Sequence, residues 1–202
     1  MAKISIDCDG VLANFLKAFA EEANHIWPGR FPKDYWQQHK QWDFPADLIS
    51  KAEVNQVWER IKTTPDWWMR LDPHGENIGV LAIFFWMHRG HDVYIVTSRV
   101  ETEGHTVAWQ TDTWLRACGV SPCHNYLSVI SVPNSNEKID IYRAMQIDFS
   151  IDDKGETVEQ CQQLKSHIAL LQDRPWNQDA KVKHRVKSVQ ELFDLVDKGT
   201  TA

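Results

Sequence analysis

The sequence predicts an α/β fold, a parallel sheet with helices on both faces, with a small helical cap inserted after the first strand–helix unit. Three observations carry the prediction. Short apolar runs rich in β-branched residues alternate with segments of helical periodicity. Several of those runs end in acidic or hydroxyl residues. One stretch near the N-terminus holds helix signals and tryptophans but no convincing strand.

The first run, Lys3 to Asp7, leads into Asp7-Cys8-Asp9-Gly10. Positions two apart on an extended strand point the same way, so Asp7 and Asp9 are expected to leave it on a common side. Carboxylates that close must share a proton, neutralise a cation, or both. Gly10 permits a sharp exit, and Val11, Leu12, Phe15, Leu16 and Phe19 then return at helical spacing. Strand, acidic turn and helix make a candidate site for magnesium and phosphoryl transfer, although a short Asp-x-Asp also occurs in solvated turns. An EF-hand calcium loop is excluded, because it needs an oxygen ligand where Val11 stands and a Glu at its end.

The cap is expected over residues 27–71. It contains Trp27, Trp36, Trp42, Trp58, Trp67 and Trp68, six of the ten tryptophans. A Ser50/Glu53 capping box opens a helix with Val54, Val57, Trp58 and Ile61 facing inward. Further on, Ile78, Leu81, Ala82 and Phe85 keep helical spacing. So do Val189, Leu192, Phe193 and Val196, introduced by a Ser188/Glu191 capping box and closed by Gly199. The remaining strands are expected at Asp92 to Thr97, Tyr126 to Ser131, Asp148 to Asp152 and His167 to Leu171.

The ends of these strands hold the other candidate residues. The second strand ends in Thr97-Ser98-Arg99, two hydroxyls and a cation placed to meet a phosphate, or a helix cap and nothing more. Lys138 opens a helix after the third strand, where most lysines are solvated charges. Phe149-Ser150-Ile151-Asp152-Asp153 is another apolar strand ending in paired acids. Capping accounts for Asp153 but not for a buried strand that ends on Asp152. A parallel sheet gathers all its strand ends at one edge, the edge where ligands bind, so these residues are expected to converge.

Composition bounds the partners. With 202 residues and 43% apolar content the chain can bury one good core. A net charge of −6 argues against a nucleic-acid polymer, which calls for a basic stripe. Only Met1-Ala2-Lys3 precedes the first strand and no apolar run approaches membrane-spanning length, so the protein reads as cytoplasmic, with no membrane partner. Cys118 and Cys123 flank a turn beside His124, but a zinc site there needs a fourth ligand and tighter spacing. Free thiols are expected throughout. The oligomeric state is not set by the sequence.

Order and spacing of these motifs resemble the haloacid dehalogenase-like phosphohydrolases. Within them, Asp7 to Phe15, Trp67-Trp68 before Leu71-Asp72-Pro73, Ile151-Asp152-Asp153-Lys154 and Asp173-Arg174-Pro175-Trp176-Asn177 resemble the 5'(3')-deoxyribonucleotidase branch. The resemblance implies a Rossmann-like core over residues 1–26 and 72–202 with the cap between, and a magnesium-dependent phosphatase acting on nucleoside monophosphates. It makes Asp7 the nucleophile and Asp9 the general acid, then base. It assigns the phosphate to Thr97, Ser98 and Lys138. Magnesium falls to Asp7, the main-chain carbonyl of Asp9, Asp152 and, in support, Asp153. Trp67 and Trp68 become candidates for stacking on a base, against the alternative of packing at a domain junction.

The chain departs from that pattern at Arg99, where the nucleotidases favour Pro; this cation either recruits a further anionic group or faces solvent. Sugar phosphates and nucleic-acid ends are alternative substrates, the latter disfavoured by Asp47, Glu53, Glu59 and Asp66 in the cap. A non-catalytic binding module would be marked by loss of Asp7 or Asp9, and both are present.

Overall fold

A computed structural model describes residues 1–38, 40, 48–87 and 90–200, without the side chains of 36, 38, 84–87 and 200. Trp42 and Asp47, and the side chains of Trp36 and Phe85, lie outside the described residues.

Six strands form one parallel sheet: β1 (Lys3–Ile6), β2 (Asp92–Ser98), β3 (Ser128–Val132), β4 (Phe149–Asp152), β5 (Ile168–Gln172) and β6 (His184–Val186), in the order β3-β2-β1-β4-β5-β6. The helices are α1 (Phe15–Ile26), α2 (Tyr35–Gln38), α3 (Lys51–Lys62), α4 (Gly75–Met87), α5 (Val107–Ala117), α6 (Lys138–Met145), α7 (Gly155–Cys161) and α8 (Val189–Thr200). This is the α/β architecture with a Rossmann-like sheet that the alternation of patterns predicts. The inner strands bury residues on both faces of the sheet. Ile4, Ile6, Val93, Ile95, Phe149, Ile151 and Leu170 belong to the cluster that includes α4, α5 and α8, whereas Val96, Ala169 and Leu171 pack with Tyr142 of α6 and with Val158 and Cys161 of α7. Among the described residues no helix is long and apolar enough to cross a membrane.

β1 is central, so its end lies between the ends of β2 and β4. The register Ile6↔Ile95 and Ile6↔Ile151 brings Asp7, Thr97 and Asp152 to the same edge. The chain leaves that edge beside the point to which it returns: Asn14 N–H donates to the Asp72 carbonyl at 2.8 Å, and His74 N–H to that of Leu12 at 2.7 Å. The described residues of the excursion between these bonds hold helices joined by turns and no strand, and α1 packs on α2 and α3.

Several local expectations change. The Ser50/Glu53 capping box of α3 is present in both directions. At α8 only half forms: Glu191 N–H donates to Ser188 Oγ at 3.4 Å, while the Glu191 carboxylate accepts from Lys187 N–H instead. Gly199 does not close α8 but lies inside it, its Cα side facing Phe149 closely enough that an added Cβ would sit 3.6 Å from the ring. β6 has no apolar run to announce it; its pairing with β5 alone makes it a strand. Val11 and Leu12 are buried in the turn after β1 rather than in α1.

Val189, Leu192, Phe193 and Val196 of α8 are all fully buried. Phe193→Ala is expected to cost about 3–5 kcal/mol by urea unfolding, the range for a large aromatic removed from a core. A loss below about 1 kcal/mol would mean that α8 contributes little to the packing.

Candidate active site

The strand ends converge as the parallel topology requires. One carboxylate oxygen from each of Asp7, Asp152 and Asp153 lies within 4.8 Å of the others, and all three residues are buried. Lys138, the first residue of α6, crosses the group: its Nζ lies 2.9 Å from Asp7 Oδ1 and 2.7 Å from Asp152 Oδ2. Asp7 Oδ1 also accepts from Cys8 N–H at 2.8 Å, and among the described residues no donor reaches Asp7 Oδ2. Asp152 Oδ1 accepts from Lys154 N–H at 2.8 Å, and Asp153 Oδ2 from Trp176 Nε1 at 3.1 Å.

Burial sets the charge state of this group. It pushes the Asp7 carboxyl up from 3.8 to about 7, with Asp152 and Asp9 adding to the rise and Lys138 opposing it. Burial and the neighbouring charges of Asp152 and Asp7 likewise drive Asp153 well above the usual carboxylate range. For Lys138 burial acts downward, but Asp152 and Asp7 outweigh it and hold the ammonium well above its ordinary value. Fully ionised, three carboxylates face one ammonium, an excess of two negative charges held by hard oxygen donors. That donor set fits a magnesium ion, which takes carboxylate oxygens and completes its shell with water.

Gly10 makes room for the arrangement. It has φ +73°, and a Cβ there would fall 2.0 Å from Asp153 Oδ2. Arg174 Nε donates to the Gly10 carbonyl at 2.7 Å, and Asn177 Nδ2 to the Asp153 carbonyl at 2.8 Å. The structure thus gives supporting contacts to Arg174, Trp176 and Asn177, to which the sequence assigned no role. The available signal was their position directly after β5, at the same sheet edge.

Asp9 takes a different direction from Asp7. Its carboxylate is absent from the acidic cluster and meets Arg99 in a two-pronged pair: Nε to Oδ2 at 2.8 Å and Nη2 to Oδ1 at 2.7 Å. The two acids do not share a proton or a side-chain cation, because the chain turns at Gly10 and a buried guanidinium captures the second. Arg99 is therefore neither solvent-facing nor open to an incoming anion, correcting its expected place among the substrate-binding residues.

Thr97 is wholly buried at the end of β2, and among the described residues its Oγ1 has no hydrogen-bond partner. Neither Thr97 nor Ser98 caps the next helix; Thr106 does, accepting from Trp109 N–H. Ser98 is half-buried as the last residue of β2. Trp67 and Trp68 are each 1% exposed, with indole N–H groups donating to Glu22 and to the Val100 carbonyl, both at 2.9 Å. They pack the junction beneath the insertion and have no area to offer a base, so the stacking expectation gives way to the packing one. The half-buried rings above them are Phe15 and Trp58, stacked at 5.6 Å. All four cysteines are free thiols.

No family model and no curated protein matches the chain. Solved structures do. A HAD-superfamily hydrolase of subfamily IA from Geobacter sulfurreducens is 14% identical, covers 96% of this chain and 99% of its own, and superposes with a TM-score of 0.59. The fold is that of the HAD hydrolases. An L-2-haloacid dehalogenase from Xanthobacter autotrophicus is 13% identical over 98% of this chain and 99% of its own, with a TM-score of 0.58. A HAD hydrolase from Bacillus subtilis, solved bound to magnesium, is 12% identical over 97% and 98%, with a TM-score of 0.55.

The raised Asp7 carboxyl gives a pH signature in the metal-free protein. With a folded value near 7 against 3.8 unfolded, its contribution to stability is complete below about pH 3.8 and is lost as pH rises through 7. The difference in Tm between wild type and Asp7→Asn should move against the wild type across that interval. A difference that stays flat from pH 4 to pH 8 would contradict the assigned environment of Asp7.

Proposed function

We propose that this protein is a magnesium-dependent phosphomonoesterase that works through a phosphoaspartate on Asp7, with nucleoside monophosphates as its substrate class. The observation that carries the reading is the buried group of Asp7, Asp152 and Asp153, crossed by Lys138, at the sheet edge where β2 also brings the Thr97 hydroxyl, unpartnered among the described residues. An orphaned buried hydroxyl loses hydrogen-bond energy that an incoming phosphate oxygen restores. The nucleotide class rests on the motif resemblance and on the half-buried rings of Phe15 and Trp58 next to the acidic turn.

In this reading Asp7 Oδ2, which no donor among the described residues reaches, attacks phosphorus, and the bond to the leaving oxygen breaks. Asp9, whose side chain keeps 20% of its surface open, delivers a proton to that oxygen. Water then attacks the phosphoaspartate, Asp9 takes its proton, and the bond between phosphorus and Asp7 breaks to release inorganic phosphate. Lys138 and Thr97 hold the equatorial oxygens. Asp7, Asp152 and Asp153, with the Asp9 carbonyl, would hold the magnesium ion, which when bound offsets the charge of nucleophile and phosphate.

Dehalogenation, the activity named for some structural neighbours, suits the site less well. A departing halide needs no proton from a residue such as Asp9, and a haloacid carries no phosphoryl group to call for a site of hard, magnesium-fitting oxygen donors.

Two measurements test the proposal. Magnesium should raise the Tm of the wild type, by the equivalent of about 2.7 kcal/mol at 100 times its Kd, and Asp152→Asn should abolish the shift. Phosphate release that persists in excess chelator would overturn the metal assignment. Asp7→Asn should lose all turnover. Asp9→Asn, given an aryl phosphate with a good leaving group, should release one equivalent of phenol rapidly and then stall with phosphate on Asp7. Turnover retained in Asp7→Asn, with no phosphorylated Asp9→Asn protein in intact-mass spectra, would point to a water nucleophile instead.

A further inference from the structure

We infer that Arg99 is the positioning residue of Asp9: it fixes the orientation of the acid–base carboxylate and ties it to Trp68, where the helical insertion returns to the sheet. The inference rests on the role proposed above for Asp9. Three features of the geometry lead to it.

The first is the pair itself. Both Asp9 oxygens accept from one planar guanidinium, at 2.8 and 2.7 Å, which sets the plane of the carboxylate as well as its position. A lysine in this place could satisfy the charge but not the plane. The second is that Arg99 has no freedom of its own. Its side chain is 0% exposed, Nη1 donates to Thr111 Oγ1 at 2.8 Å, and Nη2 also donates to Cys8 Sγ at 3.1 Å. Thr111 Oγ1 donates onward to the Val107 carbonyl at 2.8 Å, so its proton is committed and it can only accept from Arg99. The third is the ring beneath. Arg99 Cζ lies 4.6 Å from the ring centroid of Trp68. Trp68 is held in turn by its indole N–H on the Val100 carbonyl and by its backbone N–H on Gln110 Oε1 at 3.1 Å.

A cation that only neutralised Asp9 would not need this scaffold. Two elements distant in sequence, the stem at Trp68 and α5 at Thr111, converge on a guanidinium whose one ion-pair partner among the described residues is Asp9. Displacing a catalytic group by about 1 Å can cost 10²-fold in rate, so a carboxylate held at both oxygens is where such a scaffold pays off.

The test measures the first chemical step, phosphoenzyme formation in a single turnover, with two substrates: a nucleoside monophosphate, whose leaving oxygen needs the proton, and an aryl phosphate, whose leaving group scarcely does. In Arg99→Lys the nucleotide step should slow by about 10²-fold and the aryl step by less than about threefold. Added guanidinium ion should restore part of the nucleotide step in Arg99→Ala; if that variant does not fold, Arg99→Lys carries the test. Trp68→Leu should show the same substrate-selective loss. The double variant Arg99→Lys/Trp68→Leu should be little worse than Arg99→Lys alone, because both act through one group. Equal losses on both substrates, or additive losses in the double variant, would overturn the positioning role. A wild-type enzyme that forms phosphoenzyme from neither substrate would instead overturn the phosphatase reading on which the inference stands, so the two failures are distinguished by the wild-type measurement.

Discussion

The burial of three carboxylates around a single lysine is the constraint on which the site depends. Asp7, Asp152 and Asp153 stand within 4.8 Å of one another at a dry sheet edge, where each ionised group raises the cost of the next. Lys138 relieves part of that cost and is held there by the start of α6. Other features of the edge accommodate the same crowding. Gly10 leaves the space that Asp153 occupies, Arg174 holds the Gly10 carbonyl, and Trp176 and Asn177 hold Asp153 from the far side. Loss of the Lys138 ammonium would leave the buried carboxylates of Asp7 and Asp152 without their cation.

A second buried ion pair separates the two acids of the first turn. Asp7 and Asp9 are two residues apart, yet one faces Lys138 and the other Arg99. Neighbouring carboxylates given different cations are suited to different tasks, one to attack and one to move protons. The same arginine lies over Trp68, so the returning stem and the Asp9 carboxylate share one support. Phe15, Trp67 and Trp68 are in mutual ring contact, so their packing bears on the ring that lies under Arg99.

Periodicity in the sequence located the sheet well because its strands are short apolar runs between helices. It missed β6, which is polar and exists only through its pairing with β5. It misread Gly199 as a stop because glycine is tolerated in an exposed last turn, and only the continuing helix shows that α8 passes through it. It left open how α1 sits, since an amphipathic pattern suits a helix on the sheet as well as one packed on α2 and α3. The bonds joining Asn14 to Asp72 and Leu12 to His74 reveal where the chain departs and returns.

What the sequence by itself determined was the set of residues at the strand ends: Asp7, Asp9, Thr97, Ser98, Lys138, Asp152 and Asp153. Their gathering follows from parallel topology, which local patterns specify. What only the tertiary structure decided was which of them meet. Arg99 reaches back 90 residues to Asp9, and Trp68 packs under it rather than opening to a ligand. Such pairings depend on the turn at Gly10 and on the placement of α5 and the returning stem. Spacing along the chain records the period of an element, but not which side chain from elsewhere will fill the space its neighbours leave.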